Sequence, residues 1–461
     1  MDVSHKQTKE YLFEKAPILA AMAELAVPTI VGMLVVIAYN FAAAYFIGRL
    51  NDPNQMAAIT VATPVFMIFM AIGALFGIGG SSFVARLLGK KDYESAKRVS
   101  AFVFYGSITA GLIYTLCTFL LLDVVLGHLG ATEAIYNYVR EYVVIIVAVS
   151  PLIILSFSMG QIARSEGAAK VAMGGMMLGT FTNIILDPIF ILWMGMGVKG
   201  AAYAAVVANC FTSVYYIRYF TKKSPWLSIS PKYIKPTMAV VLGTLSIGVP
   251  AFVSNILLSS ANLILNNHAV IYGESVVAAI GIVYRVIMLP TFVIMGLCQG
   301  VMPLIGYNYS SGNRSRMIST INHTLVVSLI IAFVLGAVLA VTSPQVVRIF
   351  LDDDEVVKNG ALYLRVLIIG IPFMAVGFLY SATFQALGKA IPALLVTVVR
   401  QGLVFIPVLI IADNLIGVSG LVLAQPVSDV VSMLITILIF IKVKSEMQRR
   451  VCIKKEERSI S

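Results

Sequence analysis

The segment Val99–Leu122, VSAFVFYGSITAGLIYTLCTFLLL, contains no charged residue. As a helix rising 1.5 Å per residue it is long enough to cross the ~30 Å hydrocarbon core of a bilayer. Charge-free apolar runs of this kind recur along the whole chain, and they constrain the fold more than any other feature. Composition agrees with them. Only 12% of the 461 residues are charged and 59% are hydrophobic, whereas a soluble domain is nearer ~25% charged. The expected fold class is an all-α membrane protein that crosses the bilayer many times.

Several function classes drop out early. The net charge of +11 is spread over short loops and a tail, with no basic face on a soluble module, no glycine-rich phosphate loop and no zinc-ligand spacing. No nucleic-acid partner is expected. The four cysteines, Cys117, Cys210, Cys298 and Cys452, are scattered and form neither a metal cluster nor a disulfide framework. The four histidines lie at ends or in loops, so no membrane metalloenzyme, and no enzyme or cofactor of another kind, is expected. No cleavable leader is expected either, because the first apolar run follows a polar stretch and is too long.

Twelve helical spans are predicted, centred near residues 32, 70, 111, 150, 182, 209, 252, 290, 331, 372, 402 and 429. Twelve is even, so both termini lie on one side, and the distribution of Lys and Arg identifies that side. Of the 33 basic residues, 25 fall with the termini. Five (Arg49, Arg140, Lys199, Arg348 and Lys358) fall opposite, and Arg285, Arg365 and Arg400 lie within or at the edge of spans. Both termini are therefore expected in the cytoplasm.

A basic connector, 221–236, divides the chain into an N-terminal lobe, 1–220, and a C-terminal lobe, 237–445, followed by a cytoplasmic tail, 446–461. The lobes read as two copies of one unit. AVPTIV near Pro28 answers GVPAFV near Pro250, and AAITVATPVFM from Ala57 answers AAIGIVYRVIM from Ala278. Gly167 answers Gly388, and GVKGAAYAAVVAN from Gly197 answers GVSGLVLAQPVSD from Gly417. The offsets drift from 222 through 221 to 220. Six spans per copy give both copies the same orientation, so two pseudo-symmetric six-helix bundles related by an axis along the membrane normal are expected. Such duplicated bundles are a common transporter plan. No filter sequence such as TVGYG argues for a channel.

One carboxylate stands out. Asp187 lies in the uncharged stretch TFTNIILDPIFILW, four residues after Asn183 and directly before Pro188. On a helix Asn183 and Asp187 share a face, and Pro188 removes a backbone donor and loosens nearby carbonyls. The resulting oxygen-rich locus suits Na⁺. It equally suits a proton, because loss of hydration favours the neutral carboxyl. The bland alternative is an aspartate that ends a helix near the interface. Arg400 and Asp429 are read first as a buried structural pair. Asn262 reads as cavity lining or as a helix–helix hydrogen-bond partner. Most methionines and phenylalanines are packing or lipid-facing, but Met33, Phe66, Met67 and Met70 are candidates for lining a cleft that adapts to varied ligands.

The stretches AYNFAAAYFIGRL (Ala38–Leu50), RSEGAAKVAM (Arg164–Met173), TNIILDPIFI (Thr182–Ile191) and QGVMPLIGYNYSSGN (Gln299–Asn313) together resemble the multidrug and toxic compound extrusion (MATE) family, most of all its MepA-like bacterial branch. The resemblance runs from Glu24 to Lys442. It implies a monomeric antiporter that expels cationic, lipophilic small molecules across the lipid bilayer in exchange for H⁺ or Na⁺. It places the cation site in the N-terminal lobe at Asn183 and Asp187, with Tyr39 and Asn40 in the first helix and Gln299 in the eighth. Family members commonly read Y-N-x-x-D in the first helix, and here the aspartate position holds Ala43. Either coupling rests on Asp187 alone, or Ala43 is a substitution that has removed the first carboxylate. The alternative function considered is a lipid-linked oligosaccharide flippase of related architecture, which would need interior cations to hold pyrophosphate.

Overall fold

The structure, a computed structural model, describes residues 2–50, 52–129, 132–234 and 237–460, with the side chains of 2–6, 8, 44 and 447–460 left aside. Lys235 and Pro236 of the connector, the Lys6 side chain and the basic side chains beyond Glu446 therefore lie outside the described set. Among the described residues there is no strand.

The first copy comprises α2 (Ile18–Gly48), α3 (Pro53–Gly89), α4 (Tyr93–Leu120), α5 (Leu122–His128), α6 (Glu133–Ser165), α7 (Ala169–Asp187) and α8 (Val198–Lys222). The second comprises α9 (Met238–Val270), α10 (Glu274–Ser310), α11 (Arg314–Val341), α12 (Ser343–Phe350), α13 (Asp354–Ala386), α14 (Ala390–Val398), α15 (Phe405–Ile416) and α16 (Val418–Ile460). A helix α1, Asp2–Glu14, precedes both. Among the described residues, twelve helices are long and apolar enough to cross a membrane, α7 continuing to Trp193 and α14 with α15 forming one span. All twelve coincide with the expected centres.

The repeat extends to details. Corresponding helices start 220 or 221 residues apart, and even the short helices α5 and α12 begin at Leu122 and Ser343. The turns before α7 and α14 both use a glycine at positive φ, Gly167 at 79° and Gly388 at 72°, a conformation that glycine adopts without a Cβ penalty. At each glycine a side chain from elsewhere sits where a Cβ would go. It is the Phe13 ring, at 3.0 Å, over Gly167 and the Arg86 guanidinium, at 2.1 Å, over Gly388. Helix starts are set locally. Asp52 accepts from Asn54 N at 3.0 Å with Pro53 in the first turn, and Asp92 accepts from Ser95 N at 3.0 Å, each satisfying a donor that the helix leaves open.

Two compact units cut across the lobe boundary. The first contains 1–259, 292–324 and 385–390. Its core includes Val65, Phe69, Leu126, Val139, Val147 and Ile154 from α3, α5 and α6. Lipid offers no hydrophobic drive between helices, so small residues that permit close backbone approach decide the packing. Gly73, Gly77 and Gly80 on α3 receive Phe157, the Ser158 backbone and Val103. The beginning of α9 belongs to this unit because α3 touches it through backbone: a Cβ on Gly248 would lie 2.0 Å from Leu75 O, and one on Gly79 2.2 Å from Thr244 O.

Helix α1 is formed by the polar stretch that precedes the first apolar run. Phe13 is fully buried and stacks on Tyr307 at 4.8 Å. Tyr307 OH donates to Glu14 at 2.8 Å, and Arg316 Nε donates to Phe13 O at 2.8 Å. Its other end is held by the turn after α6 and by α8, as described below. The second unit contains 260–291, 325–384 and 391–461, with a core that includes Leu265, Val283, Leu364, Phe405, Leu409 and Leu421. Helix α16 runs on to Ile460, through the segment expected as the tail.

Candidate functional site

Helix α7 ends at Asp187, and the next six residues, Pro188–Trp193, form a π-helical segment. Pro188 has no N–H to return to the preceding turn, so the chain widens and resumes bonding five and six residues back, with Met194 N donating to Ile189 O at 2.9 Å and Met196 N to Phe190 O at 3.1 Å. The wide turn is kept by Gly200 on α8, where a Cβ would lie 2.7 Å from the Phe190 carbonyl. A loosened backbone beside the carboxylate is what Pro188 led the sequence reading to expect.

Asp187 is 1% exposed and Asn183 8%. Both Asp187 oxygens and Asn183 Oδ1 are buried without a hydrogen-bond partner. This is an exceptional arrangement, because a buried polar atom left unpaired costs about 1–3 kcal/mol and an ionised carboxylate far more. Three orphaned oxygens one helical turn apart form a place where a positive charge, or a proton on the carboxyl, is strongly favoured. Asp187 does end α7, as the bland alternative has it, and its side chain is enclosed.

Helix α2 packs against α7 and against the π segment. Gly32 lets Met176 approach, a Cβ there falling 3.0 Å from its sulfur. Tyr39 on α2 and Tyr142 on α6 lie within electrostatic reach of Asp187. Tyr39 was expected at the site; Tyr142 was not, and nothing in its sequence context marks it. Asn40 is exposed and Ala43 half-buried on the same helix, and neither bonds to Asp187. Gln299 meets Arg164 instead, Arg164 Nη1 donating to its Oε1 at 3.5 Å. Of the cavity candidates, Met33, Met67 and Met70 are half-buried and Phe66 is exposed, its ring 6.0 Å from that of Phe69. Asn262 is an exposed position of the second unit.

Three other polar clusters went partly or wholly unseen in the sequence. Arg400 Nε bonds Asp429 Oδ1 at 2.7 Å, joined by Gln425 at 3.2 Å, so the expected structural pair is present. It adjoins a second π segment, Val399–Val404. Asp413 accepts from Tyr272 OH at 2.6 Å and contacts His268 Nδ1 at 2.6 Å. Finally, Glu166 is fully buried in the turn after α6. It accepts from Ser224 at 2.8 Å and from Tyr219, and faces Lys9 Nζ of α1 at 3.7 Å. Burial pushes the Glu166 carboxyl above its ordinary range and pulls Lys9 below its own, while each charge partly restores the other.

Comparison with known proteins adds an independent line. The MatE family model matches twice, over residues 28–189 and 250–411. A multidrug export protein, MepA, of Staphylococcus saprophyticus is 34% identical over 94% of this chain and 96% of its own length. MepA of Staphylococcus aureus is 35% identical over 94% and 97%. Among solved structures, an outward-facing multidrug resistance MATE family transporter matches with a TM-score of 0.90 at 26% identity, covering 95% of this chain and 98% of that one.

Proposed function

The chain belongs to the MatE family, the multidrug and toxic compound extrusion transporters, and from that premise we propose that it is a secondary antiporter. It exports cationic, lipophilic compounds while H⁺ or Na⁺ enters, and its two termini face the cytoplasm, as the 25-to-5 division of basic residues favours. The observation that carries the reading is the enclosed, unpartnered pair of Asp187 oxygens beside Asn183 Oδ1.

In this mechanism the ionised carboxylate holds the positive charge of the drug in one state of the cycle. Uptake of H⁺ or Na⁺ from outside cancels that charge, weakens drug retention and permits the return. Such coupling requires a group whose affinity for the ion differs between states, and a carboxylate that is sealed in one state and reached from water in another meets that need. Asn183 and the loosened π turn offer further oxygens to a cation. A flippase for lipid-linked oligosaccharide would need a cluster of interior cations, and of the three arginines within or at the edge of spans Arg285 and Arg365 are exposed and Arg400 is paired with Asp429.

The test is Asp187→Asn in proteoliposomes. The variant should insert normally and still bind ethidium weakly, yet show no ethidium export under an imposed H⁺ or Na⁺ gradient. Export at the wild-type rate would overturn the proposal.

A further inference from the structure

We propose that the groove between α11 and α13 is a binding site for an anionic glycerophospholipid, with one acyl chain in the groove and the phosphate at Lys358 and Arg365. The site is separate from Asp187, and the proposal does not depend on the antiport reading.

The groove has two parts that follow one another along α13. The apolar part is a hollow of about 660 Å³ lined on one wall by Phe333, Gly336 and Ala340 of α11 and on the other by Ile369, Phe373 and Val376 of α13. Gly336 keeps it open: a Cβ there would lie 3.1 Å from Ile368 Cγ2, and any larger side chain would fill the space. The polar part, about 380 Å³, is lined by Pro344 at the start of α12 and by Lys358, Leu362 and Arg365 of α13. Arg365 joins the two parts, because its Nε donates to Ala340 O at 3.3 Å and to Ser343 Oγ at 3.0 Å.

Length and charge together indicate the occupant. Along the helix from the centre of this span near residue 372, Arg365 lies about 10 Å and Lys358 about 21 Å away, and half of the hydrocarbon thickness is about 15 Å. Lys358 is therefore at phosphate depth, and the Arg365 guanidinium, on a long side chain just inside the hydrocarbon, is within reach of the same level. Those basic groups are uncommitted: among the described residues neither Lys358 nor the Arg365 Nη groups has an ion-pair or hydrogen-bond partner. The acidic neighbours Asp352 and Asp354 are taken by Arg348, at 3.2 and 2.8 Å. A fixed guanidinium with free Nη donors suits phosphate oxygens, and a hydrocarbon chain suits the rest.

The experiment is native mass spectrometry of the full chain, released from detergent containing equal phosphatidylglycerol and phosphatidylcholine. Phosphatidylglycerol should be retained preferentially. Lys358→Gln, on an exposed position, should reduce its retention at least fivefold relative to phosphatidylcholine, and Ala337→Trp at the groove mouth should reduce retention of both. Arg140→Gln, which removes a like charge from an exposed position outside the groove, should leave the preference intact. Equal retention of the two lipids by the unaltered chain, or an equal effect of Arg140→Gln and Lys358→Gln, would overturn the proposal. No change with Ala337→Trp would overturn the placement of the acyl chain.

Discussion

If Asp187 alone couples transport, the stoichiometry follows from a single enclosed carboxylate without a partner. The other acids in the first, fourth, eleventh and twelfth spans are engaged. Glu24 pairs with Lys170 at 2.9 Å, Glu141 with Lys199 at 2.8 Å, Asp413 contacts His268 and Tyr272, and Asp429 pairs with Arg400. Ala43 supplies no carboxylate. One positive charge then enters for each drug exported, and with a monovalent drug the exchange moves no net charge. A pH gradient of one unit supplies about 1.4 kcal/mol, which supports a drug ratio of about tenfold. Membrane potential, worth about 2.3 kcal/mol per charge per 100 mV, cancels. For a dication one net charge leaves against an inside-negative potential, and 100 mV lowers the limiting ratio by about 50-fold. The assay uses proteoliposomes with ethidium or a bis-quaternary analogue, under a pH gradient or a valinomycin-clamped potassium potential, and a sodium gradient obeys the same arithmetic. Ethidium export driven by potential alone would refute the single-carboxylate argument. Ala43→Asp, by adding a second chargeable group, should make ethidium export sensitive to potential.

The remaining predictions concern stability. Asp429→Asn leaves Arg400 without its partner and should cost about 3–5 kcal/mol, read as a large fall in thermal midpoint, whereas Asp187→Asn removes an unpartnered acid and should leave the midpoint unchanged or raised; the opposite order would contradict the hydrogen-bond assignments. Glu166 predicts a pH slope. Its folded value lies above the ordinary 4.5, so the folded chain binds the proton more tightly and stability falls as pH rises from about the ordinary value through the folded one. Glu166→Gln should flatten that slope in thermal melts between pH 4.5 and 8, and an unchanged slope would assign it to other groups.

Hydropathy and repetition lie in the order of residues, which is why the twelve spans, the duplicated plan and the offset near 221 could be read without coordinates. The same holds for Asp187, because a carboxylate in hydrocarbon is costly wherever the chain folds, and for the loosening that Pro188 causes through its missing N–H. What surrounds that carboxylate depends on distant segments. Tyr142 comes from α6, and Gln299, a plausible member by resemblance, instead meets Arg164. The second π segment lies at 399–404, ten residues short of where the repeat would put it, and Arg400 within it pairs with Asp429 of the last helix. The docking of helix α1 is not legible in the polar stretch that forms it, because its anchors, Glu166, Tyr307 and Arg316, are more than 150 residues away. Local sequence sets which segments enter the membrane; only packing between remote segments decides which polar atoms find partners and which are left to bind an ion.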